Sequence, residues 1–238
     1  MRIRLPLGRS LFFVCAFLFA LAALFPLRLA LDWLALPERG FAAREARGSI
    51  WLGALSEAQL GTVALGDLQA RLRTLPLFVG QARVDLSRDD DEEPLGGALI
   101  VSRHAFGVED LTGTLGLGTA FAPLPLASLD TTDVSVRFAD GLCAAAEGSV
   151  RASLGGDVAG LTLPSGLSGN ARCDEGALLL PLVSQTGLEA LNLRIFEDGR
   201  YRIEFAVKPA DDALRARLIA SGFAQTPTGY ALAVDGEF

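Results

Sequence analysis

The chain is short of the residue types that most chemistry needs. Of its 238 residues one is histidine, His104, and one is lysine, Lys208. A single histidine excludes a histidine triad or a multi-histidine metal site within one chain. Lys208 stands between Val207 and Pro209 with no glycine-rich loop before it, so a phosphate-binding loop is excluded. No serine lies in a Gly-x-Ser-x-Gly setting, and the acidic residues are scattered without a distinguished pair. Leu115-Gly116-Leu117-Gly118 is too apolar and too short to cradle a phosphate, and Thr119-Ala120-Phe121 follows it instead of a helix start. The expectation is a protein with no catalytic, cofactor-binding or metal-binding residues, and not an enzyme.

Positive charge is also scarce. The formal net charge is −7, and Arg2, Arg4 and Arg9 contribute +3, so the rest carries −10. A domain that acidic repels nucleic acid and anionic surfaces at large. Aromatics make up 8 % of the chain.

Long apolar runs are missing everywhere but at the start. Residues 11–27 contain no charge, and residues 29–33 extend the stretch past Pro26. About 17–25 apolar residues span a bilayer core. The arginines on the short side hold that side in the cytoplasm. The boundaries expected are a cytoplasmic tip at 1–9, a single-pass transmembrane anchor at 10–33 and an exported domain, periplasmic or extracellular, at 34–238. A cleaved signal peptide is the rival, but its small-x-small triplet, Ala20-Leu21-Ala22, lies inside the run with Ala23, Leu24 and Phe25 still to come. Cys15 follows bulky Phe13-Val14, which suits a buried membrane cysteine better than a lipidation site.

The exported part reads as mainly β. Polar and apolar residues alternate over 68–73, 82–86, 134–138, 191–195 and 201–207, the pattern of an antiparallel sheet with one buried face. Leu65-Gly66-Asp67 and Glu197-Asp198-Gly199-Arg200 are expected hairpin turns. Recurrent Leu-Gly phrases suit a long, curved sheet of many short strands. One helix is expected at 211–222, capped by Asp211 or Asp212, with an apolar face of Leu214, Leu218 and Ile219 and an end at Gly222. A weaker one is expected at 30–36, continuing the anchor. The acidic run 89–94 is expected as a solvated loop, and His104 as a surface residue. Cys143 and Cys173, both exported, are expected to pair; closing a loop of about 30 residues is worth roughly 3–4 kcal/mol. Free thiols are the alternative, since the CxxC spacing of a redox pair is absent.

Three features give a resemblance. The phrase Arg47-Gly48-Ser49-Ile50-Trp51-Leu52-Gly53 follows the short anchor. Cys143 and Cys173 flank Gly148 and Gly169. The chain ends with Leu218-Ile219-Ala220-Ser221-Gly222-Phe223, Thr228-Gly229-Tyr230-Ala231-Leu232 and Gly236-Glu237-Phe238. Together they resemble protein N of the bacterial type II secretion system, over almost the whole length. The resemblance implies a non-catalytic accessory component of the inner-membrane platform, with other inner-membrane and pseudopilus subunits as partners and no cofactor. Trp51 is a residue for the partner surface or, on the other reading, a core tryptophan packed on a glycine-rich turn. A second function is carried alongside: a lipid-handling groove for lipopolysaccharide or phospholipid, lined by residues such as Leu68, Leu72 and Leu193.

Overall fold

The computed structural model describes residues 7–33, 40–88, 94–124, 126–155, 157–158, 161–162, 166–209 and 212–237. The run 89–93, within the acidic stretch, and Asp211 lie outside them.

The apolar start forms α1 (Leu7–Ala23), and a second helix, α2 (Leu27–Trp33), follows after a break. The anchor expected over 10–33 is therefore two helices, and α2 overlaps the start of the weaker helix expected at 30–36, of which residues 34–36 lie outside the described residues. Pro26 explains the break: its ring nitrogen has no proton to donate and its ring crowds the preceding turn. It forms an isolated bridge with Ser49 instead. At 17 residues α1 is about 25 Å long. Among the described residues no helix is long and apolar enough to cross a membrane by the usual measure.

The remainder is mainly antiparallel β. β1 (Phe41–Ala42), β2 (Glu45–Ser49), β3 (Leu52–Leu60) and β4 (Val63–Arg73) lead into a one-turn helix, α3 (Thr74–Leu77). Next come β5 (Ala82–Arg88), β6 (Leu95–Val101), β7 (Ala105–Gly116), β8 (Leu126–Ala139) and β9 (Leu142–Leu154). A detached ribbon of β10 (Asp157–Val158) and β11 (Leu161–Thr162) precedes β12 (Leu167–Asn170) and β13 (Arg172–Asp174). β14 (Ala177–Val183), β15 (Glu189–Ile195) and β16 (Arg200–Val207) follow, then α4 (Asp212–Ala220), β17 (Ala224–Thr226) and β18 (Gly229–Glu237). Apart from the ribbon, the described strands make one sheet, running mostly from neighbour to neighbour from β1 to β17.

Period two sets which face is buried. Along β16 burial alternates, with Tyr201, Ile203, Phe205 and Val207 inside. In β4, Leu68 and Ala70 are buried while Gln69, Arg71 and Arg73 are exposed. The turn at 197–200 is as expected: Gly199 has φ +86°, and the Arg200 N–H donates to Asp198 Oδ1 at 3.2 Å. The turn expected at 65–67 is not formed. Gly61-Thr62 joins β3 to β4, and Gly66 (φ +74°) lies inside β4 where the pairing with β3 shifts register around Glu57. The Glu57 N–H donates to Asp67 Oδ1 at 2.8 Å, so the Leu-Gly-Asp phrase makes a bulge and not a reversal.

Two hydrophobic clusters fill the inner face. The larger runs from β8 to β18, takes in Val63 on β4, and includes the fully buried Leu167, Leu193, Ile203, Phe205 and Leu218. The loop after β7 folds over it: Phe121 meets Tyr201 edge to face at 5.0 Å, and the Tyr201 hydroxyl donates to Ala120 O at 2.8 Å. The smaller cluster holds Leu27, Leu55, Ala58, Leu68 and Leu95. In α4 only Leu218 is fully buried, and Leu214 packs partly against the core. Ile219, expected on that face, is exposed, because a nine-residue helix lying over a sheet presents a narrow stripe. Cys143 on β9 and Cys173 on β13 form the disulfide.

Candidate functional site

The hairpin of β2 and β3 positions the first candidate site. Gly48 pairs with Gly53 and Ser49 with Leu52, leaving Ile50-Trp51 as a two-residue tip. Gly48 is required by close approach, and Gly53 leaves the room that Leu27 occupies. A Cβ on Gly48, which sits at φ +86°, would lie 2.4 Å from Leu52 O, and one on Gly53 would lie 2.4 Å from Leu27 Cδ2. Relieved of those side chains, the hairpin seats itself on the break between α1 and α2.

Two hydrogen bonds and the bridge they frame fix that contact. The Trp51 indole N–H donates to Ala22 O at 2.9 Å. The Ile50 N–H donates to Phe25 O at 3.1 Å, and Pro26 bridges to Ser49. A helix leaves its last four carbonyls without intrahelical donors. Ala22 O is one of these, so Trp51 caps the carboxyl end of α1. Trp51 is thus half-buried in a junction within the chain, and its ring joins the sheet to the apolar helix. Sequence spacing gave no sign of this, because the two partners lie 29 residues apart.

The second candidate is an edge. β18 pairs with β16 over its whole length, but β17 covers only Gly229, Tyr230 and Ala231 on its other side. Over residues 232–237 the outer side of β18 has no neighbouring strand among the described residues. Leu232 and Val234 are half-buried, while Ala233, Asp235 and Glu237 are exposed. At the opposite margin β2 is flanked by α2 and carries the Arg47–Glu45 pair, at 2.7 and 2.8 Å. That margin is covered and charged, a common way of blunting an edge.

The remaining expected residues do not assemble. His104 is exposed in the turn before β7, 3.8 Å from Asp140. Leu68 and Leu193 belong to different buried clusters and Leu72 is half-buried; none of the three lines any of the four described surface depressions. Leu68 and Leu193 are packed into those separate clusters and do not face a shared groove. No group of three or more His, Cys, Asp or Glu side chains capable of holding a metal occurs among the described residues.

Electrostatics concentrates at the base of the β4–β5 connection. Asp85 accepts from Arg73 and, at 3.2 Å, from Arg83, which also pairs with Glu109. Partial burial pushes the Asp85 carboxyl up. Hydrogen bonds and charge from Arg73 and Arg83 outweigh that and hold it below the ordinary aspartate value.

The family model for type II secretion system protein N matches residues 39–233. The chain belongs to that family. No curated protein and no solved structure gives a significant match. The matched span begins after α2 and takes in the Trp51 hairpin, the disulfide and most of β18, so the resemblance carried by those phrases is that of the family. Family membership associates the chain with type II secretion.

Proposed function

We propose that the chain is a non-catalytic accessory component of the type II secretion platform, tethered to the inner membrane by α1 and presenting its sheet in the periplasm to other secretion subunits. The observation that carries the docking role is the uncovered side of β18 over residues 232–237. A strand edge presents backbone donors and acceptors that a partner strand can take up, with side-chain pockets supplying selectivity.

The tether rests on α1. Leu11, Phe12, Phe13, Phe17 and Phe19 are each at least 65 % exposed. A helix apolar on all sides is buried in protein or in lipid. Its length falls a few ångströms short of a core of about 30 Å, a mismatch that bilayer thinning and arginine snorkelling accommodate. Tethering raises the effective concentration of the sheet for other anchored subunits.

The test is site-specific photocross-linking in cells that assemble the secretion machine. A photoreactive residue at Asp235 should cross-link to another secretion subunit, while one at Glu147, exposed in mid-sheet, should not. Identical products from both positions would contradict docking through this edge.

A further inference from the structure

Outside the apolar start, the most exposed large apolar side chains collect at one end of the sheet. The connection between β4 and β5 is the most prominent: Leu75 is 79 %, Phe78 87 % and Val79 80 % exposed. Residues 74–81 contain no charge. Such a cluster on a protein surface marks a contact with another apolar phase.

The position of this loop follows from register. Gly53 pairs with Ala70, and β4 ends three residues later at Arg73, about 10 Å further on. The Trp51 turn, which holds the carboxyl end of α1, and the loop 74–81 therefore leave the sheet from the same end. Leu52 and Val101, both more than half exposed, lie at that end too, since Val101 pairs with Ala82.

Two further properties fit the loop to lipid. Its last four backbone donors are satisfied internally: the Phe78 N–H donates to Leu75 O at 3.2 Å, Val79 to Pro76 O at 3.1 Å, Gly80 to Leu77 O at 3.1 Å and Gln81 to Pro76 O at 3.1 Å. Backbone entering a hydrocarbon phase must carry its hydrogen bonds with it. Charge at the base has the complementary sign. Arg71, Arg73 and Arg83 stand beside two carboxylates, Asp85 and Glu109, a local excess of positive charge in an acidic protein. Guanidinium groups around an apolar tip favour the headgroup layer of an anionic membrane.

We infer that loop 74–81 inserts Leu75, Phe78 and Val79 into the periplasmic face of the same bilayer that holds α1, giving the sheet a second membrane contact and a fixed tilt. The position of that contact relative to α1 rests on the tether reading above.

The test uses the full chain with Cys15→Ser, which leaves only the bonded Cys143 and Cys173. Single cysteines replacing Phe78, Phe19 in α1, or Leu188 in the β14–β15 turn at the far end carry an environment-sensitive fluorophore. The protein is reconstituted in vesicles of phosphatidylethanolamine and phosphatidylglycerol, with and without spin-labelled acyl chains. All three positions are exposed, so folding is not at stake. Several-fold quenching at 19 and 78 with none at 188 is expected. Quenching at 19 alone overturns the loop contact, leaves the tether standing and hands the loop to a protein partner. Quenching at 78 alone keeps the contact and overturns the tether, and quenching at neither overturns both.

Discussion

The two ends of the strand order are built differently. From β8 to β16 the sheet encloses a continuous cluster in which Leu167, Leu182, Leu193, Ile203 and Phe205 are essentially inaccessible, and a disulfide ties β9 to β13. From β2 to β6 only a handful of residues are buried, arginine–carboxylate pairs cross the outer face, and the β4–β5 loop stands out with its apolar side chains uncovered. The difference teaches that the large core and the seat of α1 lie in separate regions. The second half holds most of the buried side chains and, at its margin, the uncovered edge of β18, while the first half holds the Trp51 junction and the exposed loop 74–81.

That contrast can be broken most severely in the large cluster. Leu193→Ala should cost about 3–4 kcal/mol, because a fully enclosed leucine leaves a cavity that cannot collapse. Leu68→Ala in the smaller cluster should cost about 2 kcal/mol, the lower end of the same range, since surrounding side chains there are closer to solvent. Chemical denaturation of the two variants measures the gap; equal losses would remove the distinction. Replacing Cys143 and Cys173 by serine should cost about 3 kcal/mol through the longer reach of the unfolded chain, lowering Tm without changing the strand content. Equal Tm with and without reductant would argue against any stabilising role for the bond.

In the first half the effects are smaller and local. Trp51→Phe keeps the ring and removes the donor to Ala22 O, for a loss of about 1 kcal/mol. The expected sign is faster proteolysis near residues 24–26, with the global transition almost unmoved. Smallest is the acid response of Asp85. Its folded-state value lies below the ordinary one, so its contribution is fully present above the unfolded value of about 3.9 and fades as pH falls through the lower, folded value. Asp85→Asn should flatten the stability profile below about pH 4 while leaving it elsewhere parallel.

Much of the sheet was legible because burial on one face imposes period two, as in 68–73 and 201–207. The disulfide was legible because the chain beyond the apolar start holds only Cys143 and Cys173. Three things were not. Leu65-Gly66-Asp67 reads as a turn locally, and only pairing with β3 makes it a bulge. The break at Pro26 is visible as a proline, but its seat on Ser49 is a tertiary contact. The run Leu75-Pro76-Leu77-Phe78-Val79 looks like core material by composition. Its position between Arg73 and Arg83, just past an alternating strand, was the signal that it is a loop, though not that it is uncovered.

Hydrogen exchange of the full chain in detergent-free vesicles against the same chain in mild detergent tests the division most directly. Slower exchange in vesicles confined to α1, the Trp51 hairpin and residues 74–81, with β14 to β16 unchanged, is the predicted result. Protection concentrated on β18, or spread evenly over the sheet, would contradict it.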